Sequence, residues 1–151
     1  MARMSKSSDL ALLLLLMRSS NDRIEGRTRL QKTVCILKYK HKIPFSFEFR
    51  RYFYGPYSRR LQDAVNTLRA AGLITEKEVV LPEGYIKYNY ELTEEGKILA
   101  KKILDRFDSP DILGLFRDVL ESLSEISTDD LVLLAKSVTP AYRETFCSQT
   151  Y

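Results

Sequence analysis

The spacing of apolar positions changes several times along the chain, and each change marks an element. Leu10 to Met17 is a continuous apolar run closed by Arg18, which predicts a buried first helix from about Asp9 to Arg18, capped by Ser8. Ser19-Ser20-Asn21-Asp22 reads as a turn. Leu30, Val34 and Leu37 then recur at helical intervals, so a second helix starts near Gly26 to Thr28. Thr28 and Gln31 stand at capping-box spacing, and Arg27, Arg29, Lys32, Lys38 and Lys40 fall on the remaining faces. Pro44 ends that region, and Phe45, Phe47 and Phe49 alternate with Ser46 and Glu48, the period of a strand. The cluster Tyr52-Phe53-Tyr54 follows, and Gly55-Pro56 predicts a turn.

Ser58 is a good N-cap for a third helix, whose buried stripe is Leu61, Ala64, Val65 and Leu68 and whose C-terminal glycine is Gly72. Two strands, 73–81 and 85–92, flank the turn Pro82-Glu83-Gly84. Thr93 caps a fourth helix with Glu94 and Glu95 at its positive end and Leu99, Ile103 and Phe107 on its apolar face. Pro110 suits the first turn of a fifth helix, striped by Ile112, Phe116, Val119 and Leu123. Ser127 or Thr128 opens a sixth, with Leu131, Leu134, Ala135 and Val138 inward and Pro140 as its stop.

Helix, helix, helix, two-stranded wing, helix is the layout of a winged helix-turn-helix. The expected class is therefore α+β: a mainly helical winged helix-turn-helix with an extra aromatic strand and a C-terminal helical extension. Residues 1–107 form the winged-helix domain, and residues 108–151 the extension, whose apolar stripes suit it to pair two subunits in a homodimer. The alternative is that these last helices fold back on the domain.

Arg27-x-Arg29-Leu30-Gln31-Lys32, followed by an aromatic strand, Tyr54-Gly55-Pro56-Tyr57-Ser58, Leu61 and the exit Gly72-Leu73-Ile74, resembles the YwgA-like family of small bacterial and archaeal winged-helix proteins over roughly residues 24–105. More distantly, the Leu-Gln-Lys helix and Tyr-Gly-Pro turn are similar to the Panacea-type antitoxin domain, although Tyr57-Ser58 stands here where that family often has a valine. The first resemblance implies a fold more than an activity; the second implies a protein partner.

Charge sharpens the picture. The net charge is +4, but residues 1–78 hold 16 Lys+Arg against 7 Asp+Glu, and residues 79–151 hold 8 against 13. A basic half attracts a polyanion and an acidic half turns away from it. On the third helix the side opposite the apolar stripe offers Arg59, Arg60, Gln62, Asp63, Asn66 and Arg69, side chains that include those which read base edges and grip phosphates. Arg59 and Arg60 stand at the helix N-terminus against its dipole, where a purely structural position favours acids. Arg50, Arg51, Arg27, Arg29 and Lys32 are candidates for flanking phosphates, and Lys87 on the wing for a neighbouring groove. The wing also carries Glu76, Glu78 and Glu83, which oppose that role. Tyr52, Phe53, Tyr54 and Tyr57 are read as core between the extra strand and the second and third helices, with stacking on single-stranded bases as the alternative.

His41 is the only histidine, which excludes a histidine triad or a multi-histidine metal site, and there is no Gly-rich phosphate loop. Cys35 and Cys147 show neither metal spacing nor a disulfide framework, the usage of a reducing, cytoplasmic compartment. The Leu10–Met17 run is too short to cross a bilayer and lacks a signal-peptide cleavage pattern, so no membrane association is expected. The reading is thus a non-enzymatic, cofactor-free, DNA-binding winged-helix protein, with double-stranded DNA as partner and transcriptional regulation as its role. A protein-interaction module, such as an antitoxin or an assembly subunit, is the alternative.

Overall fold

The computed structural model describes residues 6–106 and 111–143. Their elements run α1 (Lys6–Ser19), β1 (Arg23–Glu25), α2 (Arg27–Tyr39), β2 (Arg50–Tyr52), β3 (Gly55–Tyr57), α3 (Arg59–Ala70), β4 (Ile74–Val80), β5 (Ile86–Leu92), α4 (Glu94–Asp105), α5 (Ile112–Ser124) and α6 (Thr128–Val138). The protein is mixed α/β, with two small antiparallel sheets ordered β1-β5-β4 and β2-β3. The expected roles of Phe107, Pro110 and Cys147 lie outside the described residues.

Helix α1 is the central rod of the core, with every residue from Leu12 to Met17 buried. That all-round burial explains its uninterrupted apolar run: it is covered by α4 and α5, and by α3 and β5 at further points. Asp9, in its first turn, is also buried, and its carboxylate accepts hydrogen bonds from the Ser46 amide (2.8 Å) and the Ser46 hydroxyl. Among the described residues, no helix is long and apolar enough to cross a membrane.

The third helix, the hairpin and the fourth helix follow the sequence pattern closely. Ser58 caps α3 by accepting from the Leu61 amide (3.2 Å), and Leu61, Val65 and Leu68 are buried. At the far end Gly72 has φ +75°, where a side chain is strained, and the Leu73 amide returns to the Leu68 carbonyl (3.0 Å). Thr93 caps α4 by accepting from the Gly96 amide (3.0 Å) while its hydroxyl donates to the Gly72 carbonyl (2.7 Å). The fourth helix can approach the start of β4 only through Gly96: a Cβ there would lie 2.1 Å from the Leu73 carbonyl oxygen.

Four parts of the chain depart from the sequence pattern. Residues Arg23–Glu25, a stretch too short to show a period, form β1 and pair antiparallel with β5, Ile24 opposite Tyr90. Phe45, Phe47 and Phe49 are buried as their alternation implies, but the segment is extended without a ladder partner; the paired strand begins only at Arg50. The turn falls at Phe53-Tyr54, and Gly55-Pro56 belong to β3. The Thr28–Gln31 capping box does not form either: Gly26 is the N-cap of α2, with no side-chain cap, and Gln31 points elsewhere.

The last two helices fold back. Helix α5 lies on α1 and α2, and α6 on α2 and β3. Phe116, Val119, Leu123, Leu131 and Ala135 join the same apolar cluster as α1 and α2. These stripes are therefore spent within one chain, and only outer residues such as Leu133 remain exposed.

Candidate nucleic-acid interface

The position of α3 is set by α2. Gln31, buried on α2, meets the Ser58 backbone twice: its Nε2 donates to the Ser58 carbonyl and its Oε1 accepts from the Ser58 amide, both at 2.9 Å. One residue on, Lys32 donates from Nζ to the Pro56 carbonyl (2.8 Å). Leu-Gln-Lys and Tyr-Gly-Pro-Tyr-Ser, apart in sequence, are thus one latch that fixes the β2–β3 hairpin and the first turn of α3 against α2.

Arg59 and Arg60 are exposed on that first turn. Arg60 leans toward Ser46, with long contacts to its carbonyl (3.5 Å) and hydroxyl (3.4 Å). Neither arginine forms an ion pair among the described residues. Further along, Gln62 donates to Asn66 (3.2 Å), and Asn66 also accepts from Arg69 (3.5 Å), so these groups form one polar row. Arg69 ends against Glu76 on β4 (3.5 Å).

Most of the other candidate phosphate contacts serve the fold. Arg27 pairs with the same Glu76 (3.2 Å), donates to the Tyr90 hydroxyl (3.1 Å) and lies 3.9 Å from the centre of the Tyr88 ring. Glu76, its side chain only 8% exposed, thereby joins α2 and α3 across β4. Arg29 donates to the Leu123 and Ile126 carbonyls (3.1 and 2.6 Å), satisfying carbonyls at the end of α5. Lys87 pairs with Glu25 (3.5 Å), and Arg50 lies 3.6 Å from Glu48. Arg51, exposed, has its guanidinium 5.1 Å from the Tyr142 ring centre.

Lys32 is not a surface cation. It is 3% exposed, and burial pulls its pKa down from the usual 10.5 to about 8, with Lys136 pushing the same way. Cys35, one turn along, is buried beside Thr139 (3.0 Å), and burial raises its thiol to about 11. That thiol is inert rather than a nucleophile.

The aromatic cluster corrects the sequence expectation in the other direction. Instead of core, Tyr52 (52% exposed), Phe53 (99%) and Tyr54 (80%) project from the hairpin turn. They cover a pocket of about 240 Å³ whose floor includes Gln31 and Lys32. The three consecutive rings lack the alternation of Phe45, Phe47 and Phe49, and the end of β2 with its two-residue turn carries them beyond the last core layer. Gln31, Glu76 and Asp9, which position the site, have no local sequence signal, because their partners lie on distant segments.

No protein-family model matches the chain. The chain is similar to a curated bacterial protein described as "Uncharacterized protein YwgA" from Bacillus subtilis (strain 168), 36% identical over 103 residues that make up 67% of this chain. It spans 58% of the length of that relative, and the similarity supports a YwgA-like family.

Proposed function

We propose that the protein is a YwgA-like winged-helix protein that binds duplex DNA through α3 and acts as a regulator rather than an enzyme. The observation that carries this reading is the pair Arg59 and Arg60, exposed at the start of α3 with no carboxylate paired to either among the described residues. In a helix-turn-helix that end of the recognition helix enters the major groove. Gln62 and Asn66 follow it on the polar row, and Arg50 and Arg51 add charge from the neighbouring hairpin. The order α1-β1-α2, then the inserted β2–β3 hairpin, then α3-β4-β5, with β1, β5 and β4 in one sheet, supports the winged-helix reading. A homodimer would use the outer faces of α5 and α6, where Leu115 and Leu133 stay exposed.

Affinity for duplex DNA, measured by fluorescence anisotropy over a series of salt concentrations, tests this. Binding should fall steeply with salt, and replacing Arg59 and Arg60 with Ala should reduce the slope of log K against log salt by about 2. Absent or salt-insensitive binding by the wild-type chain refutes it.

A second reading, a protein-interaction module such as an antitoxin, is favoured by the wing tip. Val80, Tyr85 and Ile86 are exposed there, an apolar tip ill suited to tracking phosphates. On this reading substitutions at the tip abolish partner binding, and Arg59→Ala with Arg60→Ala leaves it intact.

A further inference from the structure

The three exposed rings of the β2–β3 turn have no role in the core and none in the duplex reading. They stand over a pocket walled by Tyr52, Phe53, Tyr54 and Tyr57, with Arg27 and Lys32 at its base. No carboxylate lines that pocket. Lys32 spends one of its three ammonium hydrogens on the Pro56 carbonyl, and no ion pair neutralises it among the described residues. A second ammonium, that of Lys136, sits close by: the two lysine Cε atoms lie 3.5 and 3.8 Å from where a Cβ on Gly55 would be. The strand leading into the turn contributes Arg50 and Arg51.

Aromatic faces beside the ammonium groups of Lys32 and Lys136, which form no ion pair among the described residues, suit a ligand that is itself planar, aromatic and anionic. We propose that the β2–β3 turn and the pocket beneath it bind an unpaired nucleotide, its base stacked on Phe53 and Tyr54 and its phosphate drawn to the surrounding cations. Base-on-aromatic stacking tolerates any sequence, because every base has a π-face, and a basic surround supplies the backbone attraction. Within a duplex the bases are stacked on each other, so this site takes a single strand, a flipped nucleotide or a free mononucleotide. A protein partner anchoring the same rings would be expected to bring carboxylates to this positive surface. The site uses residues other than Arg59 and Arg60, so the two readings fail separately.

The test uses the full chain with two probes: a short fluorescein-labelled oligothymidylate followed by anisotropy, and adenosine monophosphate followed by calorimetry. The variant Phe53→Ala/Tyr54→Ala removes two solvent-exposed rings and should keep the wild-type urea midpoint. It should lose about tenfold or more in affinity for the single strand while keeping its duplex affinity. Phe53→Trp should bind the strand at least as well as wild type, and Arg59→Ala/Arg60→Ala should weaken only the duplex. Binding of the strand without the mononucleotide assigns the site to nucleic acid; mononucleotide binding lost in the double variant assigns it to a free nucleotide. Equal affinity of wild type and the Phe53/Tyr54 variant for both probes, or no binding of either probe by wild type, overturns the proposal and leaves the turn to a protein partner.

Discussion

Replacing Gln31 with Leu strikes the latch between α2 and α3 without altering any surface charge. The leucine fits the same buried position but makes neither of the two 2.9 Å bonds to Ser58. The Ser58 carbonyl keeps a long bond from the Gln62 amide (3.4 Å), whereas its own amide, at a buried residue, is left without the side chain that accepted from it. An orphaned buried donor costs about 1–3 kcal/mol, and the second lost bond adds about 1 kcal/mol. The variant should therefore be about 2–4 kcal/mol less stable than wild type. For a chain of this size that corresponds to a melting temperature lower by roughly 4–16 °C. Urea unfolding followed by circular dichroism gives the free energy from the midpoint at unchanged m, and hydrogen exchange should show the Ser58 amide losing its protection. Gln31→Glu sharpens the test: its carboxylate can accept from the Ser58 amide but cannot donate to the carbonyl, so this variant should regain stability as the buried carboxyl becomes protonated on mild acidification. A Gln31→Leu variant within about 0.5 kcal/mol of wild type would mean that the latch is incidental to the fold.

Three further predictions concern neighbouring residues. Lys32 releases its proton at about pH 8 in the fold but near 10.5 in the unfolded chain, so the unfolded state holds more protons and stability rises with pH from about 8; Cys35, raised from 9.0 to about 11, acts oppositely above 9. Lys38 adds to the rise and Tyr39, Tyr90 and Tyr142 to the later fall, and urea midpoints at stepped pH should show a smaller early rise in Lys32→Met, an unchanged profile in that variant counting against the assignment. Gly55→Ala should cost more than 1 kcal/mol, from φ +92° and a Cβ that would lie 2.9 Å from Val132 Cγ1, with Val132→Ala recovering only the steric part in a double-mutant cycle. Arg29→Ala should cost about 2 kcal/mol and speed amide exchange in α5 more than in α3, because two carbonyls at the end of α5 lose a charged donor.

The parts legible in the sequence are those whose signals are local. Ser58, Thr93 and Ser127 cap the helices that follow them because a cap is a contact over three residues, and Leu61, Val65 and Leu68 are buried as their spacing implies. What the sequence could not show is where an arginine or lysine goes once the chain folds. Arg27, Arg29 and Lys32 read alike in sequence as cations near the start of one helix; in the structure one meets Glu76, one meets carbonyls at and just past the α5 end, and one is enclosed beside β3. Each destination lies more than 20 residues away in sequence, so no window of local pattern contains both ends of the contact. The same is true of the aromatic turn, whose exposure depends on the register of β2 against β3 rather than on its composition.

Glu76 holds two guanidinium groups from separate helices with one carboxylate. Its position makes it a brake on surface potential: neutralising that single oxygen pair would release two cations together on the side of the molecule where α3 ends its exposed row. An approaching polyanion would face the same competition, since each phosphate that captured Arg69 would have to outbid an anion already in place. Substituting this acid by glutamine is thus the shortest route to a more avid polyanion binder, with the cost taken from the cohesion of α2, α3 and β4.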